Sequence, residues 1–529
     1  MARAFMILGT ASHVGKSIFT AGLGRILADE GVHVAPFKAQ NMSLNSAATP
    51  DEREIGRAQA LQAEACRIAP TVEMNPVLIK PSSDTTSQVV LLGRVWRQVS
   101  AADYHTRYVE ELFPAVLQSY QQLAQQYEVI LLEGAGSPAE INLREHDIVN
   151  LRMAKAANAT CILVADIDRG GVFASLLGTM ELLEPDERDL IRGFVINKFR
   201  GDKGLLEPGV KMIEDRINRP CLGVVPFLRD LGLDEEDGVA LDALRTVHRV
   251  WKDDFSSSTS RPLRVGVVAL PHMSNFTDFD SLAAEPSLSV AFVDHPEDIS
   301  QSEVLILPGS KQTIDDLDWL TATGFIPEIK RHHSKRRPVI GICGGFQMLG
   351  TRLLDPNGIE NNGIPTEREG LDLLPVETIF HSDKTTRPIR GVIRDGVLGG
   401  LPWANKTFSG YEIHVGETRR PPEAQAFAEV LPLSGGEKSL DGAVSSDDLV
   451  VGCYIHGLFD ADFFRHSFID VVRARAGLNP AEKKVFATAE REQRIDRWAN
   501  HLRAHIDIHY IENLLQLKFI AGRSASDRL

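Results

Sequence analysis

The stretch Pro338-Val-Ile-Gly-Ile-Cys-Gly-Gly-Phe-Gln-Met-Leu-Gly350 decides the fold of the second half of the chain and points to its chemistry. Val339–Ile342 is a short apolar run that reads as a buried strand, and residues 346–349 open a helical pattern. Cys343 falls between them, beside Gly341, Gly344 and Gly345. A side chain at a sharp strand-to-helix turn projects from the carboxyl edge of a sheet, and small neighbours let a substrate come close. The start of the helix favours negative charge, which suits both a thiolate and an oxyanion. Most free cysteines are small apolar core residues. The glycine setting instead makes Cys343 a candidate nucleophile.

A nucleophilic thiol needs a base. His456 ends an apolar run in Gly452-Cys-Tyr-Ile-His-Gly-Leu-Phe459, where it can face a cysteine on a neighbouring strand. Cys453 falls inside that run and reads as core. An oxyanion needs backbone N–H donors. Leu307-Pro-Gly-Ser-Lys311 ends another strand, so Gly309 or Ser310, together with Gly344, can supply them. The segment from Ser409 to His414 is placed to shape the pocket.

Working outward, the chain has 529 residues, too many for one ordinary core, so at least two domains are expected. It is 43% hydrophobic and 24% charged, as soluble globular proteins are. The net charge of -15 argues against nucleic acid or an anionic membrane as the main partner, and an acidic substrate would need a local basic site. Five scattered cysteines without a CxxC pair imply neither a disulfide framework nor structural zinc, and suit a reducing cytoplasm. Residues 5–8 are too short for a signal-peptide core, and no apolar run is long enough to span a bilayer.

Strand-like runs at 5–8, 32–36, 129–132, 160–164, 193–196 and 222–225 alternate with helical patterns such as 18–30 and 108–127. That alternation predicts a mostly parallel sheet covered on both faces. A polar, serine-rich linker follows, and new strands come at 263–270, 289–293, 304–307, 339–342 and 449–454. The expected organisation is an α/β domain over 1–245, a linker over 246–262, a second α/β domain over 263–475, and a helical extension over 476–529.

The first strand runs into Gly9-Thr-Ala-Ser-His-Val-Gly-Lys-Ser17, which opens a helix. Backbone N–H groups of such a loop, from Gly9 and Thr10 to Gly15, cradle phosphates; Lys16 reaches the terminal phosphates and Ser17 can ligate Mg2+. Thr10 stands where the strict P-loop has glycine, so this is a variant loop. Glu133, at the carboxyl end of the strand over 129–132, can hold the metal. Asp166 or Asp168 can bind metal or orient a phosphate. Asn197 and Lys198 are candidates for the nucleotide base. Lys38 is placed to bind a carboxylate or a transferring phosphoryl group, and Lys80 and Arg169 can add positive charge.

At Cys343 and His456 the chain resembles the class I glutamine amidotransferases, whose nucleophile and base these positions match. That family usually continues from the histidine with Pro and then Glu, which orients the base. Here Gly457 and Leu458 stand instead, as in the subgroup of cobyric acid and cobyrinate diamide synthases, and no orienting residue is assigned. Gly9–Ser17 and residues 133–136 resemble the ATP domain of dethiobiotin synthetase relatives. The runs 36–43, 54–61, 74–81 and 166–173 are similar to those of the cobyric acid synthase family, with His13 where its loop usually carries Asp. The resemblance covers about residues 3–470. It implies a P-loop-like ATP domain joined to an amidotransferase domain, with ATP, Mg2+, L-glutamine and a corrinoid substrate. The implied reaction is amidation of the b, d, e and g carboxylates of adenosylcobyrinic acid a,c-diamide. The alternatives are the cobyrinate a,c-diamide synthase reaction, which the runs 38–43 and 54–61 disfavour, and a non-catalytic P-loop module with a degenerate amidotransferase domain. The sequence leaves the oligomeric state open.

Overall fold

The computed structural model describes residues 2–82, 86–100, 103–229, 231–233, 258–361, 363–394, 397 and 407–517. Most of the expected linker, residues 246–257, lies outside them.

Two parallel sheets organise the chain. The first contains β1 (Arg3–Gly9), β2 (Val34–Phe37), β3 (Val129–Glu133), β4 (Thr160–Asp166), β5 (Ile191–Phe199) and β6 (Cys221–Pro226). They pair in the order β6-β5-β4-β1-β3-β2, all parallel. β1, β3 and β4 are buried along nearly their whole length, as continuous apolar strands covered on both faces must be. The glycine loop leaves β1 at its carboxyl end and enters α1 (Lys16–Asp29). Glu133 and Asp166 end β3 and β4, on the same edge of the sheet.

The second sheet contains β7 (Leu263–Val268), β8 (Leu288–Val293), β9 (Val304–Leu307), β10 (Val339–Ile342), β11 (Ala443–Val444) and β12 (Val450–Cys453). Its order is β8-β7-β9-β10-β12-β11, parallel except for the edge strand β11. Cys343 follows β10 and caps the short helix α2 (Gly344–Leu349). β9, which leads to Ser310, and β12, which leads to His456, flank β10 on either side.

Smaller mixed or antiparallel pieces are added to both frames. Gln40–Met42, Val77–Pro81, Thr86–Leu91 and Arg94–Ser100 form a small sheet beside the phosphate loop. A long hairpin, Glu377–Ile393 with Thr407–Arg419, covers the Cys343 side of the second domain. The expected C-terminal extension does not stand apart. Helices α3 (Ala487–His505) and α4 (Ile508–Leu514) return to the first domain. Ile495, Trp498, Leu502 and Ile511 are buried in one cluster with Phe5, Ile7, Phe19 and Leu23. The Trp498 indole N–H donates to the Ile18 carbonyl (2.6 Å), and buried Arg25 on α1 pairs with Glu492 and Asp496 on α3 (both 2.8 Å).

Candidate active sites

Cys343 has φ 52° and ψ -111°, a conformation that an ordinary side chain adopts only under strain. The close packing of its neighbours holds it there. A Cβ on Gly345 would lie 2.0 Å from the Leu307 carbonyl oxygen, so only glycine lets α2 start against the end of β9. The thiol is 6% exposed, with Sγ 3.5 Å from the Ile413 carbonyl.

His456 is fully buried, and the Cys343 thiol is near enough to favour its charged form. Its Nδ1 lies 2.7 Å from Asp278 Oδ2, while Asp278 Oδ1 accepts the Gly457 N–H at 2.9 Å. Tyr411 stacks on the ring (5.3 Å between centroids). Burial alone would depress the imidazole, but the Asp278 carboxylate and the cysteine outweigh it and raise His456 to about 10. The residue that holds the candidate base is therefore Asp278, which the sequence reading missed. It belongs to the turn Phe276–Phe279, far from His456 in the chain.

The expected backbone donors Gly309, Ser310 and Gly344 pack against one another. Gly309–Ser310 pairs antiparallel with Met273–Ser274, and the Lys311 N–H donates to His272 O at 2.9 Å. By the alternation of such ladders, Ser310 and Met273 then form a pair that exchanges no hydrogen bonds. The Ser310 N–H therefore points away from that strand, and a Cβ on Gly344 would lie 2.8 Å from it. Ser310 thus packs against Gly344, the residue after Cys343, whereas Gly309 N–H belongs to the pairing with Ser274. His414 stacks on Tyr454 at 3.7 Å, and burial pushes it down to about 3, leaving it neutral. Gln347 donates to the Tyr454 hydroxyl and to Val415 O (both 3.0 Å). Cys453 is core, with burial raising its thiol.

In the first domain, Gly15 is left-handed (φ 97°) and packs on Asn197, whose Nδ2 would lie 2.5 Å from an added Cβ. The Lys16 ammonium donates to the carbonyls of Ala11 (2.9 Å) and Gly136 (3.0 Å). Glu133 gathers three donors: Ser17 Oγ at 2.7 Å and Lys38 Nζ at 3.0 Å on Oε1, and Gln62 Nε2 at 2.6 Å on Oε2. The structure thus brings Ser17, Lys38 and Glu133 together. Asp166 pairs with Lys198 (2.9 Å), which also donates to the loop carbonyl of His13 (2.6 Å), and accepts the Asp168 N–H (2.8 Å). Asn197 is buried and donates to Val14 O at 2.8 Å, so its amide braces the loop from beneath. Lys80 turns away from the phosphate loop to Ser46 Oγ (2.8 Å) and Glu54 (2.6 Å).

A cavity of about 880 Å³ opens over the loop. Gly15, Lys16, Ser17, Lys38 and Arg169 line its polar end, and Met42, Ile79 and Tyr104 line apolar wall. Met273 and Phe276 of the second domain complete it, so the wall of this cavity is the same segment that carries Asp278 to His456.

Residues 264–464 match the family profile described as CobB/CobQ-like glutamine amidotransferase domain, and residues 5–240 match that of the CobQ/CobB/MinD/ParA nucleotide binding domain. The chain is 46% identical to the cobyric acid synthase of Citrobacter koseri over 98% of this chain and 99% of that protein. The cobyric acid synthases of Yersinia enterocolitica, covering 97% and 98%, and Salmonella typhimurium, covering 98% and 99%, are also 46% identical. Two fused domains, one matching each profile, and a likeness running nearly end to end place the chain in the cobyric acid synthase family.

Proposed function

We propose that this protein uses ATP and glutamine to amidate the b, d, e and g carboxylates of adenosylcobyrinic acid a,c-diamide. The observation that carries the reading is the shared wall: one segment, residues 273–278, lines the cavity above the phosphate loop and orients the base of the cysteine site.

In the second domain, Cys343 attacks the carboxamide carbon of glutamine as the thiolate, its proton already held by His456. The S–C bond forms, and the carbonyl oxygen takes up charge facing the Ser310 and Gly344 N–H groups. His456 returns the proton to the departing nitrogen as the C–N bond breaks, and Asp278 holds the ring for both transfers. Ammonia and a thioester result. Water then attacks the thioester, glutamate leaves, and the thiol is restored.

In the first domain, a substrate carboxylate oxygen attacks the terminal phosphorus of ATP, and ADP departs. Lys16, Lys38 and the loop N–H groups supply the positive field for the transferring phosphoryl group. Ser17 and Glu133 offer hard oxygens 2.7 Å apart and would hold Mg2+ there. When bound, the ion neutralises phosphate charge. Lys38 is the group that must yield at Glu133. Ammonia next attacks the acyl carbon, and phosphate leaves.

Ammonia is mostly protonated in neutral water and then not nucleophilic, so it must travel enclosed. The two domains touch between the sites, where the Ser46 N–H donates to Asn275 Oδ1 at 2.9 Å. Mass spectrometry of the corrinoid incubated with glutamine and ATP tests the reading. Stepwise conversion of those carboxyls to amides supports it, and an unchanged corrinoid refutes it. Amidation confined to the a and c positions of unamidated cobyrinic acid would favour the diamide synthase reaction.

A further inference from the structure

We infer that Asn275 is a latch that makes glutamine hydrolysis depend on occupancy of the synthetase cavity. The inference rests on the proposed reaction and adds a positioning residue to it.

Asn275 lies in the left-handed region (φ 52°, ψ 42°), which asparagine tolerates better than most residues, and it is buried. Its carboxamide reaches in two directions. Oδ1 accepts the Ser46 backbone N–H of the first domain at 2.9 Å, a partner that fixes which end of the amide is oxygen. Nδ2 then lies over the His456 ring, 3.4 Å from Nδ1 and 3.3 Å from Nε2. With Asp278 on Nδ1 and Tyr411 on the face, it confines the imidazole from a third side.

The cavity touches both ends of this contact. Ser43, Leu44 and Asn45, just before Ser46, line it from the first domain, and Met273 and Phe276, either side of Asn275, line it from the second. Met273 and Ser274 also pair with Gly309 and Ser310, the strand that supplies the oxyanion donor. One short segment therefore meets the synthetase cavity, the first domain's backbone, the base and the oxyanion strand. A ligand that presses on residues 43–45 or on Met273 and Phe276 shifts the Ser46–Asn275 bond, and with it the ring that must protonate departing ammonia. This satisfies the physical requirement for coupling: a ligand favours one arrangement of an element that the second site also reads.

The test compares glutamine hydrolysis with and without the corrinoid plus a non-hydrolysable ATP analogue. The expected wild-type result is a stimulation of at least about fivefold, the lower end of ordinary coupling between sites. Asn275→Gly keeps the left-handed backbone and removes the latch, and is expected to bring the ratio to about one. Ammonium-driven amidation, which bypasses Cys343 and His456, serves as the folding control. A wild type with no stimulation, or Asn275→Gly with the wild-type ratio, overturns the latch. A parallel fall of hydrolysis and ammonium-driven amidation in Asn275→Gly also overturns it, by making the residue a fold element. Failure of the wild type to amidate with either nitrogen source would instead refute the ligase reading on which the latch depends.

Discussion

Asp278 Oδ2 stands 2.7 Å from His456 Nδ1 although 178 residues separate the two in the chain. The sequence positions after His456, where related amidotransferases carry a glutamate, hold Gly457 and Leu458. The catalytic orienter is thus supplied from the opposite end of the domain. The turn that supplies it also borders the synthetase cavity, so the site's chemistry and its connection to the partner domain come from one segment.

Replacing this carboxylate isolates its role. Asp278→Asn preserves shape but offers Nδ1 no anion, so glutamine hydrolysis should fall on the order of 100-fold or more. Ammonium-driven amidation should stay near wild type. Equal losses in both assays would make Asp278 merely structural.

The same pair predicts a pH signature. Burial lowers the His456 value, the Asp278 carboxylate and Cys343 raise it further, and the folded value is about 10 against an ordinary 6.5. A raised folded value contributes stability that is fully present below about 6.5 and is lost as the pH climbs to about 10. The gap in melting temperature between wild type and Asp278→Asn should therefore shrink over that window. A gap that widens with pH would contradict the assignment.

Cys343→Ala should abolish glutamine-dependent amidation while ammonium still supports the reaction at alkaline pH. The strained backbone adds a second expectation. Cys343→Gly should be more stable than Cys343→Ala by about 1 kcal/mol, because glycine adopts φ 52° freely. Denaturant melts of the two inactive variants give the comparison, and a less stable glycine variant would mean that the turn stores no strain.

The parallel frames of both domains were legible because their strands are covered on both faces and read as unbroken apolar runs. The strand-turn-helix settings of Lys16 and Cys343 were legible for the same reason. The small sheet beside the phosphate loop was not: Arg94–Ser100 is mostly polar and half exposed. Nor was the long hairpin, whose first strand is polar and contains Pro388, which argues against a strand interior. Asp278 carries no local signal, being one carboxylate in a polar turn. The absent glutamate after His456 was the available clue that the orienter comes from elsewhere. Asn197 and Asp166 occupy strand ends as read, but their contacts run to Val14 O and Lys198, which periodicity does not specify.

Lys16→Ala should leave glutamine hydrolysis without nucleotide or corrinoid largely intact and cut corrinoid-dependent ADP release on the order of 100-fold, as losing one preorganised cation does. Loss of hydrolysis as well would show that the two domains do not fold independently of this loop.

The C-terminal helices predict a stability effect at a distance in sequence. Trp498→Ala removes a buried indole and its bond to Ile18 O, and should destabilise the first domain by about 3–5 kcal/mol. An unchanged unfolding midpoint would separate α3 from the first domain's core.

The most direct test of the central claim follows the nitrogen. The protein is supplied with ATP, the corrinoid and glutamine labelled with ¹⁵N in its side-chain amide, in an excess of unlabelled ammonium, and the product amides are weighed. If nitrogen freed at Cys343 passes enclosed to an acyl phosphate above Lys16, the new amides carry ¹⁵N. Amides that carry the unlabelled nitrogen of the medium would contradict the account.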